Sequence, residues 1–274
     1  MNNALSLLPS NMQTVEYLRQ RIAPSPGDAF YIHLADLRLS LGAVATKQSI
    51  EILDYGSGGS PYRSLFPNAR YRRADLVQSD ADQLDYILGE DGRVDEKPEV
   101  FDMILSTQVI EHVIDPQLYL AECYRLLKPG GVLYCTTHGI FEDHGVPYDF
   151  QRWTSEGLRR DLTRAGFAVV RLEKLTTGPR ALIFQLDRHL DLLRASRLGA
   201  SRKTLFGMSI WALTILISAV RAYIHRQCDR HYRDCRVVPQ QCGNSFDRHV
   251  IYIGLAALGR KPGSNCIHSS LKTI

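Results

Sequence analysis

The sequence predicts an α/β protein with a doubly wound, mostly parallel sheet and a helical insertion before its last strand. Two observations support this. Short apolar segments alternate with segments of helical periodicity from residue 49 to residue 172, and the first apolar segment runs into a glycine-rich turn. Strands that alternate with helices form parallel sheets with right-handed crossovers, and these sheets bind ligands beyond the carboxyl ends of their strands. We therefore expect a functional site at that edge.

Composition and charge limit the class of protein. The chain has 274 residues, of which 45% are hydrophobic and 23% charged, which is typical of a globular protein and excludes collagen-like, low-complexity and disordered classes. The net charge of +4 is too small to indicate nucleic-acid binding, but residues 188–236 contain ten Lys/Arg against three Asp/Glu. Six scattered cysteines and the lack of a basic segment before the first apolar patch predict a cytoplasmic protein with reduced thiols.

Seven strands are predicted from apolar, β-leaning segments. The fourth has a hydrophobic centre, which suits a sheet that is buried on both faces. In order, the segments are 49–53, 71–76, 85–88, 101–106, 132–137, 167–172 and 250–258.

Helices are predicted where a capping residue precedes apolar residues at helical spacing. Ser60 followed by Pro61 predicts a helix directly after the glycine-rich turn. Asp115 precedes a second helix, and Thr154 can cap a third. A further helix precedes the first strand, because apolar residues recur there at helical spacing: Phe30, Leu34, Leu37 and Leu41.

These elements divide the chain into five predicted parts. They are a helical lead-in at 1–47, a ligand-binding core at 48–177, a basic and apolar helical insertion at 178–246, the last core strand at 247–262 and a flexible tail at 263–274. The insertion is too long for a loop.

The glycine-rich turn is the strongest candidate for a binding site. The first strand ends in the run DYGSGG at 54–59. Glycine allows positive φ angles and lets a ligand approach the backbone closely. Asp75 ends the next strand, where a carboxylate can accept both hydroxyls of a ribose. A tight turn that binds nothing is the alternative.

Two residues distinguish between cofactors. A dinucleotide fingerprint needs a third glycine where this chain has Pro61. Asp54 would repel a pyrophosphate but can hold an ammonium group. A ligand with a ribose and a cationic amino-acid end therefore fits this turn better than NAD, and S-adenosylmethionine is such a ligand.

Four motifs occur together in order: ILDYGSG at 52–58, the acid Asp75, FDMILSTQVIEHV at 101–113 and LKPGGVLYCTTHG at 127–139. With these motifs the chain resembles class I S-adenosylmethionine-dependent methyltransferases of the type-11 group, which implies a Rossmann-like fold. Two further strings, at 144–158 and 248–262, resemble a bacterial subgroup linked to glycan or surface-polysaccharide synthesis. That second resemblance implies a glycan or lipid-linked acceptor.

The resemblance also implies roles for individual residues. The glycine turn and its first acid would hold the methionine end of the cofactor, the second acid the ribose, and the acids after the third strand the adenine. Two residues at the end of the fourth strand would border the reacting methyl group. The complete predicted set is Asp54, Gly56, Ser57, Gly58, Asp75, Leu76, Glu90, Asp91, Ser106 and Gln108.

No metal site is predicted. Some relatives hold a divalent ion through Glu-x-x-Glu-His, but this chain has Gln108 in the first position, and an amide lacks the charge that a hard cation favours. Glu111 and His112 are therefore interpreted as structural residues that line the pocket or cap a loop. A run of His225, Cys228, His231 and Cys235 lacks the spacing of zinc knuckles and is interpreted as part of a basic surface helix.

The loop after the fifth strand carries the candidate catalytic residues. A hydroxyl acceptor needs a base, and His144 is the first candidate because an imidazole pKa of about 6.5 suits proton transfer near neutrality. Asp149 is the second candidate, unless it pairs with Arg152. The predicted acceptor pocket consists of His112, His138, Tyr148, Arg152 and Trp153, with simple packing of Trp153 as the alternative.

Residues 204–220 contain no charged residue. A helix of that length spans about 25 Å, which is less than the hydrocarbon core of about 30 Å. Three interpretations remain open: a helix packed on the body or on a dimer partner, contact of 202–226 with the inner face of a membrane, or a true span.

The sequence thus predicts a methyltransferase that acts on a small molecule or on a glycan or lipid-linked precursor, and not on nucleic acid. Two alternatives remain open. One is an NAD-dependent oxidoreductase that modifies a sugar, and the other is a non-catalytic, membrane-associated binding module with the same fold.

Overall fold

The computed structural model describes residues 11–77, 83–195, 205–233, 236–239 and 250–263. Apart from residue 263, the predicted tail lies outside these ranges.

Eight strands form one sheet in the order β3-β2-β1-β4-β5-β8-β6-β7. The strands from β3 to β5 are parallel, whereas β8 is antiparallel to both of its neighbours and β7 is antiparallel to β6. The predicted mostly parallel, doubly wound sheet is confirmed. The strands are β1 (Glu51–Tyr55), β2 (Arg70–Asp75), β3 (Tyr86–Ile87), β4 (Phe101–Thr107), β5 (Leu127–His138), β6 (Ala168–Thr177), β7 (Val237–Pro239) and β8 (Tyr252–Arg260).

Helices cover both faces of the sheet. Helices α3 and α4 contribute to the core on one face, and α2 packs against the other. The predicted lead-in helix is confirmed as α2, since Leu34, Leu37 and Leu41 are buried. In the part of the chain that the structure describes, the helices are α1 (Asn11–Ile22), α2 (Tyr31–Gly42), α3 (Pro116–Leu126), α4 (Ser155–Arg164), α5 (Pro179–Ala195) and α6 (Leu205–His231).

The caps that the sequence indicates are present at α3 and α4. The Asp115 carboxylate accepts hydrogen bonds from the backbone N–H groups of Gln117 and Leu118. The Thr154 hydroxyl accepts one from the N–H of Gly157. Each cap satisfies donors that the first turn of a helix leaves without a partner.

The prediction of a helix directly after the glycine-rich turn is wrong. Only a single 3₁₀ turn forms there, at Arg63–Leu65. Ser60 has a φ of 51°, which is incompatible with the extended backbone of an N-cap residue. Pro67 follows Phe66 and disfavours helical backbone at that residue, so the segment has no room for a longer helix.

Helices α5 and α6 form an antiparallel pair that is joined to the body by buried charges. Arg180 of α5 is fully buried, and its guanidinium lies 2.9 Å from Asp36 of α2 and 2.6 Å from Asp229 of α6. Farther along, Asp187 of α5 lies 3.2 Å from Arg221 of α6. The pair is therefore anchored at one end by an ion network.

The predicted surface position of the His225–Cys235 run is wrong for two of its members. Cys228 is 2% exposed and packs against α5, and His225 is equally buried, with a ring nitrogen 2.8 Å from the Pro26 carbonyl oxygen. Cys235 lies outside the described residues. Within the described ranges, no helix combines the length and the apolar character that crossing a membrane requires.

We expect Arg180→Ala to lower the free energy of unfolding by about 3–5 kcal/mol, because it leaves the buried Asp36 with an incomplete set of cationic partners. Urea denaturation measures this change. The matched control is Arg70→Gln, at an arginine whose side chain is 73% exposed, and it should shift the free energy by no more than about 0.5 kcal/mol. Equal effects of the two substitutions would contradict the anchoring role.

Candidate cofactor and acceptor site

The glycine-rich turn follows the carboxyl end of β1 and lies at the carboxyl edge of the sheet. Gly56 has a φ of 76°, and a Cβ at this position would lie 2.6 Å from the side chain of Val109. Gly58 has a φ of 48°, but a Cβ there would meet nothing within 4 Å. Packing therefore requires glycine at position 56, whereas the turn is open in front of Gly58.

Two carboxylates flank this turn. Asp75, at the end of β2, accepts hydrogen bonds from the backbone N–H of Gly58 at 2.7 Å and of Leu76 at 2.8 Å. Asp54 is 2% exposed, and the Tyr71 hydroxyl donates a hydrogen bond of 2.7 Å to it. Burial raises the pKa of Asp54 to about 7. The two acids thus contact one turn from neighbouring strands.

The residues present fit S-adenosylmethionine. The buried Ser57 hydroxyl oxygen has no hydrogen-bond partner among the described residues, and buried polar groups are normally satisfied. The open space at Gly58 admits a ligand, and the Asp75 carboxylate lies beside it, where a ribose can bind. Asp54 offers a buried carboxyl beside the turn, and the ammonium group of a bound ligand would favour its charged form.

The other predicted cofactor residues occupy different environments. Leu76 is 62% exposed, and Glu90 and Asp91 are exposed after β3. Ser106 is fully buried, and its hydroxyl accepts a hydrogen bond from the Tyr119 hydroxyl. The side chain of Ser106 thus lies in the core, and its predicted contact with the reacting methyl group stays a prediction.

A cavity of about 780 Å³ opens beside Gln108, at the end of β4. It lies between α1, α2, α5 and the loop after β5, at the carboxyl edge of the sheet. Its lining is rich in aromatic rings and imidazoles. The lining residues are Glu16, Tyr17, Gln20, Arg21, Phe30, His33, Leu34, Gln108, His112, His138, Phe141, Glu142, Asp143, His144 and Arg188.

Ring contacts build one wall of this cavity. The Phe141 ring stacks on His138 with a centroid distance of 4.0 Å, and His144 meets His138 edge-on at 4.8 Å. His33 adds a third imidazole 5.6 Å from His138. Burial lowers the pKa of His33 to about 3 and that of His138 well below its usual range. These two imidazoles are therefore neutral near neutral pH.

A buried acid lies behind the His138 ring. Glu111 is fully buried, with one carboxylate oxygen 3.3 Å from Nε2 of His138. Its other oxygen accepts a 2.9 Å hydrogen bond from the Thr137 hydroxyl. Burial raises the pKa of Glu111 to about 7, so this carboxyl is partly protonated near neutral pH, whereas His138 is neutral.

The two candidate bases, His144 and Asp149, lie next to each other, but they differ in how well each can accept a proton. Asp149 binds the guanidinium of Arg152 through both oxygens, at 2.6 and 2.7 Å. This pairing lowers the pKa of Asp149 to about 2, and so weak a base does not suit general-base catalysis. The prediction of Asp149 as a base is wrong. Its carboxylate instead lies 3.4 Å from Nδ1 of His144.

Three residues of the predicted acceptor pocket do not line the cavity. Trp153 is 6% exposed and donates its indole N–H to Asp161, so the packing alternative holds. Arg152 bonds Asp149 and the backbone carbonyl of Glu142, and this holds the loop rather than an acceptor. Tyr148 is half exposed outside the cavity. His112 and His138 do line it.

The sequence did not predict that the first helix, α1, contributes to the site. Tyr17 and Arg21 of α1 line the cavity, and Leu18 lies so close to Gly59 that a Cβ there would come within 2.5 Å of it. No sequence motif marks α1. For α2, the polar residue His33 within the apolar lead-in helix was the one sequence signal that this helix contributes to the site.

Residues 28–172, more than half of the chain, match the family described as a methyltransferase domain. The chain belongs to this family, and the predicted class of S-adenosylmethionine-dependent methyltransferases is confirmed. The NAD-dependent oxidoreductase alternative is therefore wrong.

Curated relatives share parts of the chain. A ubiquinone biosynthesis O-methyltransferase of Cereibacter sphaeroides is 34% identical over 119 residues, covering 38% of this chain and 47% of the relative. Methyltransferase AacuQ of Aspergillus aculeatus is 30% identical over 166 residues, covering 54% of this chain and 50% of the relative. The chain matches these relatives over about half of their length.

Solved structures share the fold. Phosphoethanolamine N-methyltransferase 2 of Haemonchus contortus, in complex with S-adenosyl-L-methionine, has a TM-score of 0.52 at 16% identity, covering 94% of this chain and 58% of that one. The 4+2 cyclase SpnF has a TM-score of 0.51 at 18% identity, covering 91% and 93%. At such identities the likeness shows the fold alone.

Alanine at the two glycines should have different effects. Gly58→Ala places a methyl group in the open space, so we expect weaker binding of S-adenosylhomocysteine and a stability loss of about 1–2 kcal/mol from the left-handed backbone. Gly56→Ala should cost clearly more stability, because its Cβ meets Val109. Calorimetric titration and urea denaturation measure the two effects. Equal stability losses would contradict the packing argument.

We expect Asp75→Ala to weaken S-adenosylhomocysteine binding by about 1–3 kcal/mol, the usual cost of removing a polar partner in a binding site. Asp95→Ala, at an exposed acid after β3, is the matched control and should leave binding unchanged. If Asp75→Ala binds S-adenosylhomocysteine as tightly as the wild type does, Asp75 does not belong to the cofactor site.

Proposed function

We propose that this protein is an O-methyltransferase that transfers the methyl group of S-adenosylmethionine to a hydroxyl on an aromatic acceptor bound in the cavity. The observation that carries this proposal is the position and lining of the cavity. It begins at Gln108, beside the cofactor turn, and its wall consists of Phe30, Phe141 and stacked imidazoles. Flat aromatic molecules pack favourably on such rings.

The named relatives support oxygen as the accepting atom, since several are ubiquinone biosynthesis O-methyltransferases. The glycan or lipid-linked acceptor predicted from the sequence has no support from these relatives. The charged groups at the cavity rim, Arg21, Arg188 and Glu142, would select among ring substituents of the acceptor.

Bound S-adenosylmethionine supplies a methyl group that the sulfonium already activates. The protein therefore has to align the acceptor with that group. Correct orientation of two reactants can lower the activation barrier by about 7–11 kcal/mol. Asp54, Ser57 and Asp75 would hold the cofactor. Gln108, where the cavity meets the end of β4, would lie between the cofactor and the acceptor.

His144 is the proposed base. Its Nδ1 lies 3.4 Å from Asp149 and 3.3 Å from the Glu142 carbonyl oxygen. A proton on Nδ1 leaves the Nε2 lone pair to take the proton of the acceptor hydroxyl. Asp149 then stabilises the imidazolium that forms, as a neighbouring carboxylate does.

The pH dependence of kcat/KM tests this assignment. Burial lowers the pKa of His144 below its usual value, so the neutral base persists through neutral pH. We expect kcat/KM to stay constant through neutrality and to fall only below about pH 6.5. An acidic limb near pH 7, where Glu111 and Asp54 titrate, would contradict the assignment of His144 as the base.

Transfer of a labelled methyl group to a panel of phenols and catechols tests the function itself. His144→Ala should lose about 10²–10⁴-fold in kcat and retain S-adenosylhomocysteine binding, whereas His189→Ala, at an exposed position on α5, should behave as wild type. Cofactor binding without transfer to any acceptor would favour the non-catalytic alternative. Transfer to sugars or amines alone would overturn the aromatic hydroxyl.

A further inference from the structure

We propose that one face of the α5–α6 pair docks on an anionic lipid bilayer. This face, called here the hairpin face, consists of Leu182 and Leu186 on α5 and of Leu205, Met208, Leu213, Ile215 and Leu216 on α6. The proposal concerns where the protein binds, and it does not depend on the identity of the methyl acceptor.

The hairpin face is apolar and exposed. Leu182 and Leu186, one helical turn apart, are 61% and 60% exposed. On α6 the exposed fraction is 83% at Leu205, 53% at Met208 and 59% at Leu216. Isolated exposed apolar residues are ordinary, but a group of seven on two adjacent helices marks a surface that binds something.

The body of the protein covers the other side of α6. Gly207 and His225 are buried and lie 18 residues apart, which is five turns of helix, so they share one side. Leu205 and Tyr223 have the same separation and are both exposed. The exposed apolar residues of α6 therefore lie on the side of this helix that faces away from the body.

Charge identifies the occupant. Along α6 the exposed apolar residues give way to Tyr223 and then to the exposed Arg226 and Arg230. In a helix that lies in the interface, exposed apolar side chains enter the acyl boundary, and exposed tyrosine and arginine side chains beside them bind the headgroups and phosphates of an anionic bilayer. Residues 188–236 carry ten Lys/Arg against three Asp/Glu, whereas the rest of the chain has 23 against 26.

The same charges disfavour one kind of pairing with a second copy. A two-fold interface in which the two α6 helices run parallel would bring the arginines of both copies close together. The exposed apolar stretch on α6 runs from Leu205 to Leu216, about 18 Å of helix at 1.5 Å per residue. That length suits a helix lying in the interface of a bilayer and is too short to cross it.

Vesicle sedimentation of the full chain tests the proposal. We expect binding to vesicles of equal parts phosphatidylcholine and phosphatidylglycerol, weakened by salt, and little binding to phosphatidylcholine alone. The double variant Met208→Glu/Leu216→Glu should bind at least about tenfold more weakly. Leu118→Glu, at a leucine of α3 that is 67% exposed on the opposite face of the sheet, is the matched control and should bind like wild type.

A second variant isolates the electrostatic contribution. Arg226→Gln/Arg230→Gln should lose most of the preference for anionic over neutral vesicles. S-adenosylhomocysteine binding, measured on every variant, reports whether the fold is intact. If the protein binds vesicles but transfers no methyl group, the proposed function is contradicted, whereas the proposal that the hairpin face docks on a bilayer is supported.

Three results would overturn the proposal. One is equal binding to neutral and anionic vesicles, and another is unchanged binding of Met208→Glu/Leu216→Glu. The third is a dimer that this double variant converts to a monomer without any effect on vesicle binding, which would make a second copy the occupant of the hairpin face.

Discussion

The hydrogen bond from the Gly58 N–H to the Asp75 carboxylate joins the carboxyl ends of β1 and β2 into one site. It depends on the turn at Gly56, where the backbone has positive φ and only glycine fits against Val109. Because Val109 directly follows Gln108, the same packing contact sets the distance between the cofactor turn and the mouth of the cavity. A shift at Gly56 would therefore affect both halves of the site.

The acceptor side combines groups whose charge states are set by burial and pairing. Burial keeps His138 neutral and raises the pKa of Glu111 to about 7, whereas Asp149 remains ionised because Arg152 binds both of its oxygens. A neutral imidazole beside an ionised carboxylate, as at His144, can accept a proton and hold the resulting charge. Since the pKa of each group follows from its surroundings, the assignment of a base required the structure and not only the residue types.

The α5–α6 pair links this site to the protein's surface. On α5, Arg188 lines the cavity while Leu186 is exposed on the hairpin face. The buried ion pairs of Arg180 with Asp36 and Asp229 fix the pair to α2, which itself carries His33 of the cavity wall. The helices that the chain inserts between β6 and β8 thus form part of the site as well as an outer surface.

Local patterns were sufficient for seven strands, the capped helices at Asp115 and Thr154, and the glycine turn with its second acid, because each depends on residues close together in the chain. Strand β7 was not predicted, since it lies in the segment predicted as a helical insertion. Tertiary structure alone decided the rest. Ser106 and Trp153 have side chains suited to a site but point into the core, and α1 reaches the cavity through contacts such as that of Arg21 with Gln108, 87 residues away. Such contacts depend on how the helices pack on the sheet, and no short-range sequence pattern encodes that packing.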